Sequence, residues 1–156
     1  MKQNNILLTA FQGEENSSKI LVDQISNAYD KFIFSNDYTR ISNEICNVLS
    51  KKTYDFIICF GQKPIIKRLS IETLAKQKNE CMETNFPIKE LCGRLDEKNI
   101  SYKLSKNPGT SYCNFLYYNL LKYVEDNQYP TKIVFIHVPY LANFLELKKV
   151  VHLFDE

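Results

Sequence analysis

The chain has 156 residues, with 20 basic and 18 acidic side chains for a net charge of +2, 44% apolar residues and 24% charged ones. That length fits one domain with one ordinary core, and the apolar share excludes wholesale disorder. The near balance of charge gives no footprint for nucleic acid or for a membrane surface.

Residues 5–9 form a short apolar run and read as a buried strand. Asn16, Ser17 or Ser18 can cap a helix through about residue 27, with Ile20, Leu21, Ile25 and Ala28 on one side. Residues 31–34 are β-branched and aromatic, a second strand. Asp37 can cap a helix to about residue 50, where Ile41, Ile45, Val48 and Leu49 recur at helical spacing. Residues 54–60 (YDFIICF) are the most continuous apolar run, as expected of a central strand. Residues 69–74 are ambiguous. Pro87 suits the first turn of a helix over 86–98, with Ile88, Leu91, Cys92 and Leu95 on one face. A strand over 100–104, a helix over 110–124, a strand over 132–138 and a helix over 143–154 complete the chain. Strands alternating with helices predict an α/β fold: one three-layer α/β/α sandwich over residues 1–156, with a twisted, mostly parallel sheet. Continuous apolar strands fit a sheet covered on both faces.

The N-terminus lacks the long apolar core of a signal peptide, and no run of about twenty apolar residues spans a membrane, so a cytoplasmic protein is expected. The five cysteines, Cys46, Cys59, Cys81, Cys92 and Cys113, are odd in number and irregularly spaced. They read as free thiols, most of them buried, and no zinc-ligand spacing joins them to His137 or His152. His152 falls among polar residues of the terminal helix and reads as a surface group.

Three segments could carry chemistry. Pro108-Gly109-Thr110-Ser111-Tyr112-Cys113-Asn114 puts a cysteine in the first turn of a predicted helix, where partial positive charge and free N–H groups favour a thiolate. The alternative for Cys113 is a packed core thiol. Val134-Phe135-Ile136-His137-Val138-Pro139-Tyr140 ends a buried strand on a histidine, where a base belongs in an α/β sheet; the alternative is a hydrogen-bonded core histidine. Phe60-Gly61-Gln62, with Glu72 ten residues on, could supply a carboxylate to orient an imidazole, although Glu72 alone is one carboxylate among many.

Taken together, these segments resemble the pyroglutamyl peptidase I (pyrrolidone-carboxylate peptidase) family of cysteine peptidases. Phe135 to Tyr140 match the family's F-I-H-V-P-Y. The Cys113 segment resembles A-G-x-Y-x-C-N, and Gly61-Gln62 with Glu72 keep the spacing of G-Q-x-G-G-R-x-x-x-x-x-E. Thr9-Ala10-Phe11-Gln12-Gly13 with Asn16-Ser17-Ser18 resembles the opening loop, and Phe86-Pro87-Ile88 the L-P-I helix. The resemblance runs from about residue 5 to residue 141. It implies Cys113 as nucleophile, His137 as its base and Glu72 as the orienting partner, with Phe11, Gln62 and Tyr112 at the substrate. It implies a thioester intermediate, no metal or organic cofactor, and as substrate a peptide with N-terminal pyroglutamate or a related small amide. A homo-oligomer is left open.

The departures fall mainly on the substrate walls. The opening loop lacks the family's P-F, Pro64-Ile65-Ile66 replace G-G-R, and a long segment is reduced to residues 76–85. The chain ends soon after its last helix, where the family continues. A more open site, or one closed by a partner, is expected, and a scaffold kept for binding or inhibition is the alternative to a peptidase.

Overall fold

The computed structural model describes residues 3–155. Its elements in order are β1 (Ile6–Phe11), α1 (Ser17–Gln24), β2 (Asp30–Phe34), α2 (Tyr38–Lys51), β3 (Phe56–Lys63), β4 (Leu69–Glu72), β5 (Leu74–Gln77), β6 (Glu80–Glu83), α3 (Ile88–Glu97), β7 (Tyr102–Ser105), α4 (Tyr112–Asp126), β8 (Lys132–Pro139) and α5 (Leu147–Leu153), with single 3-10 turns at Gln3–Asn5 and Leu141–Asn143. Six strands make one sheet in the order β2-β1-β3-β8-β4-β7. All its pairings are parallel except β8 with β4. The expected mostly parallel sheet between helical layers is therefore present.

Strand alternation sorts the core into two halves. Leu8, Ala10, Ile58, Phe60, Ile71, Val134, Ile136 and Val138 face α1, α3 and α5. Leu7, Phe11, Ile57, Cys59, Ile133 and Phe135 face α2 and α4. Each helix turns one stripe inward: Ile41, Ile45 and Leu49 on α2, and Leu116, Tyr117, Leu120, Leu121 and Val124 on α4. The capping side chains act as expected. Asn16 accepts from the Ser18 N–H and Asp37 from the Arg40 N–H, each satisfying a donor that the first helical turn leaves free.

The segment read as ambiguous resolves into β4, a buried strand, followed by a small β5–β6 hairpin. The hairpin occupies most of the 76–85 region, expected to be a shortened link with no element of its own. Its turn is Lys78-Asn79, with Lys78 at φ 52°, and it packs against α4 through the buried Ala75. The expected 143–154 helix is shorter, because a 3-10 turn and an irregular link precede α5. Among the cysteines, Cys59 is buried, Cys92 and Cys113 are half-buried, and Cys46 and Cys81 are exposed. The expectation that most are core residues is corrected: the two exposed ones lie on the outer faces of α2 and the hairpin. His152 is exposed, hydrogen-bonded to Asp155 at 3.0 Å. Among the described residues, no helix is long and apolar enough to cross a membrane.

Candidate active site

The C-terminal end of β3 runs beside that of β8, with Gly61 opposite His137 and Lys63 opposite Pro139. Paired residues in parallel strands share a face, and side chains two apart on a strand share it too. Cys59, Gly61 and Lys63 of β3 therefore stand with Phe135 and His137 of β8 on the α4 side. On β4, whose register sets Ser70 opposite His137 and Glu72 opposite Phe135, the same parity brings Ser70 and Glu72 to that side. Three strands thus direct their polar residues beneath the start of α4.

Cys113 is the second residue of α4. Its Sγ lies so close over Gly61 that a Cβ built there would stand 2.6 Å from the sulfur and 2.8 Å from the Phe135 ring. Only the missing side chain lets the helix seat its thiol against the sheet, directly beside the strand neighbour of His137. Phe135 fills the floor, its ring 5.0 Å from the imidazole and 5.7 Å from Tyr117.

His137 and Glu72 are both buried, and His137 Nδ1 lies 2.7 Å from Glu72 Oε2. The Ser70 hydroxyl donates to the same oxygen at 3.0 Å, and the Lys63 ammonium stands 3.9 Å away. Tyr117 donates to the Glu72 carbonyl at 2.8 Å and fixes that end of β4 to α4. Burial pushes the Glu72 carboxyl up. The His137 hydrogen bond and the charges of His137 and Lys63 outweigh it, so the group stays below the ordinary carboxylate value. An ionised Glu72 accepts from Nδ1–H and leaves Nε2 as the basic nitrogen.

The expectation of a low-pKa thiolate is corrected. Burial pushes the Cys113 thiol up to about 12, and Cys59 and Glu72 add to the rise. Lys63 and the residue's own N–H pull the other way without overcoming it. Ser111 makes no side-chain cap on α4, so the helix end is open, yet desolvation outweighs its partial charge. At rest this cysteine is a thiol.

The remaining expected residues are more dispersed. Gln62, one residue beyond Gly61, turns to the opposite face, where its Oε1 accepts from the Ser17 N–H at 3.0 Å and the Ser17 hydroxyl at 3.3 Å. It lines a cavity of about 480 Å³ with Gln12, Gly13, Glu15, Asn16 and Tyr140. Phe11 is buried, its ring packed 6.5 Å from Phe34, and lies in the core rather than at that cavity wall. Tyr112 is half-buried against Tyr38, with ring centres 4.6 Å apart. On the other side of the Cys113 segment, a cavity of about 540 Å³ is walled by Tyr38, Lys76, Lys78, Asn107, Ser111 and Asn114. Asn114 ties the hairpin to α4, accepting from the Lys76 N–H at 2.8 Å and donating to its carbonyl at 2.7 Å. Sequence reasoning missed Ser70 and Lys63. The signal for both was strand parity: each lies two residues from a residue already singled out.

Known proteins give concordant matches. The family model described as Pyroglutamyl peptidase matches residues 79–151. The chain is 30% identical over 158 residues to the pyrrolidone-carboxylate peptidase of Thermosipho melanesiensis, covering 85% of this chain and 77% of that one. With a pyrrolidone-carboxylate peptidase of Caldanaerobacter subterraneus it is 42% identical over 56 residues, 36% of this chain and 27% of the relative. Among solved structures it is similar to pyroglutamyl peptidase I of Bacillus amyloliquefaciens, with TM-score 0.83, 20% identity and 96% and 90% of the two chains covered. The pyrrolidone carboxyl peptidase of Thermococcus litoralis gives TM-score 0.80, 19% identity and 96% and 89% coverage.

Proposed function

The chain belongs to the pyroglutamyl peptidase family, and on that footing we propose that it hydrolyses the amide bond following an N-terminal pyroglutamate through Cys113, His137 and Glu72. The observation that carries the reading is the buried 2.7 Å contact between His137 Nδ1 and Glu72 Oε2, beside a cysteine seated over Gly61 at a helix start. A nucleophile, a base and an orienting acid on one sheet face form the set that acyl transfer through cysteine requires.

The steps follow from these positions. His137 Nε2 takes the Cys113 proton as the sulfur attacks the pyroglutamyl carbonyl, and Glu72 steadies the imidazolium through Nδ1–H. Backbone N–H groups in the uncapped first turn of α4 stabilise the oxyanion. His137 then gives its proton to the departing amine, and the C–N bond breaks to leave a thioester on Cys113. Water, deprotonated by His137, attacks that thioester, and pyroglutamate leaves as the thiol is restored. The raised thiol favours proton transfer concerted with attack over a standing thiolate.

The test is release of a fluorescent amine from a pyroglutamyl amide. Wild-type protein releases it, while C113A and H137A lower the rate by about a thousandfold or more. A wild-type protein that releases nothing, or a C113A protein that keeps its rate, overturns the reading.

A further inference from the structure

We propose that Lys63 is a positioning residue for this chemistry: its ammonium, held between the Glu72 carboxylate and the Asn107 carbonyl, supplies the positive charge that eases proton loss from the half-buried Cys113 thiol. The inference rests on Cys113 acting as the nucleophile.

Lys63 ends the β3 row that begins with Cys59 and Gly61, so its side chain starts on the face that holds the thiol. Its Nζ lies 3.9 Å from Glu72 Oε2 and donates to the Asn107 carbonyl at 3.2 Å. Asn107 opens the turn that leads into α4, and its own side chain accepts from the Gly109 N–H. The Lys63 ammonium therefore lies between the carboxylate and the backbone that delivers Cys113. Its side chain is only 28% exposed, so water screens it less than a free surface lysine.

The titratable groups around the thiol come from three strands: Cys59 and Lys63 on β3, Glu72 on β4 and His137 on β8. Cys59 is fully buried and held up to about 12, so it stays neutral. When Cys113 loses its proton to His137, the site holds a thiolate and the Glu72 carboxylate against an imidazolium and the Lys63 ammonium, two charges of each sign. Without Lys63 the site is net negative before and after the step, and the thiolate forms beside Glu72 with no ammonium to offset that carboxylate. Lys63 lies two residues along β3 from Gly61, over which the Cys113 sulfur sits, and its ammonium meets Glu72 on that same face.

The experiment is the rate of Cys113 alkylation by iodoacetamide as a function of pH, read on the Cys113 peptide by mass spectrometry, for wild type, K63M and K63R. K63M should react about three- to tenfold more slowly at a pH near 7.5, corresponding to about half to one pKa unit, with its pH–rate curve displaced to higher pH. K63R should restore most of the rate. A K63M curve that superimposes on wild type overturns the inference. So does a K63R protein that reacts as slowly as K63M, which would mark a loosened Asn107 turn rather than a lost charge. Wild-type hydrolysis of the pyroglutamyl amide is measured alongside: its absence counts against the proposed function, while the alkylation curves still decide the role of Lys63.

Discussion

Glu72 concentrates the electrostatics of the site in one side chain. It is buried, takes its hydrogen bonds from His137 and Ser70 on one oxygen, and remains below the ordinary carboxylate range. A carboxyl lowered on folding contributes stability that is present above its unfolded pKa and is lost as pH falls through its folded pKa. The urea midpoint of wild type should therefore decline on acidification from the usual carboxylate pKa of about 4.3 downward. E72Q should be less stable than wild type near neutrality, and the gap should narrow as the pH is lowered. A gap independent of pH would contradict the ionised assignment. Gly61 makes the complementary steric prediction. A methyl group there would collide with both the Cys113 sulfur and the Phe135 ring. G61A should cost about 1–3 kcal/mol in chemical denaturation. Its displacement of the thiol should lower kcat/KM by about tenfold or more, since attack geometry tolerates little error.

At the scale of elements, the β5–β6 hairpin is the piece held almost entirely by its neighbours. Apart from Ala75 it exposes most of its side chains, and its docking depends on Asn114 clasping Lys76 and on Tyr118 donating to Glu80 at 2.6 Å. N114A should lower stability by roughly 1 kcal/mol and speed hydrogen exchange in the hairpin amides before the sheet is affected. Unchanged hairpin exchange would show that Asn114 does not secure it. The same element explains what the sequence conceals. Residues 76–83 (KQKNECME) have no apolar alternation, and Lys78-Asn79 is not the Asn-Gly pair that announces a two-residue turn, so nothing local predicts strands there. The long elements were legible because burial wrote itself into them: YDFIICF and KIVFIHV as doubly covered strands, and the spaced apolar residues of α2 and α4 as helices. At the site, the family resemblance implied Cys113, His137 and Glu72, but parity across β3, β4 and β8 was needed to put them on one face. The resemblance also placed Gln62 at the substrate, and its odd position relative to Gly61 turns it to α1.

The whole molecule brings its chemistry to the place where the sheet changes direction. β3 and β8 run parallel, β4 returns antiparallel beside β8, and α4 begins above the junction. No local segment carries the set; the topology assembles it from residues 61–137. The β4–β7 edge carries Glu72, the β3–β8 pair carries His137 and the clearance at Gly61, and α4 carries the Cys113 sulfur. For the proposed mechanism, the covalent intermediate is the decisive species. The most direct measurement is intact-protein mass after rapid acid quench of wild type and H137A mixed with a pyroglutamyl amide, followed by peptide mapping. The account predicts one pyroglutamyl group, carried by Cys113, in wild type and none in H137A. Turnover with no acyl group on Cys113, or an acyl group on another of the five thiols, would contradict it.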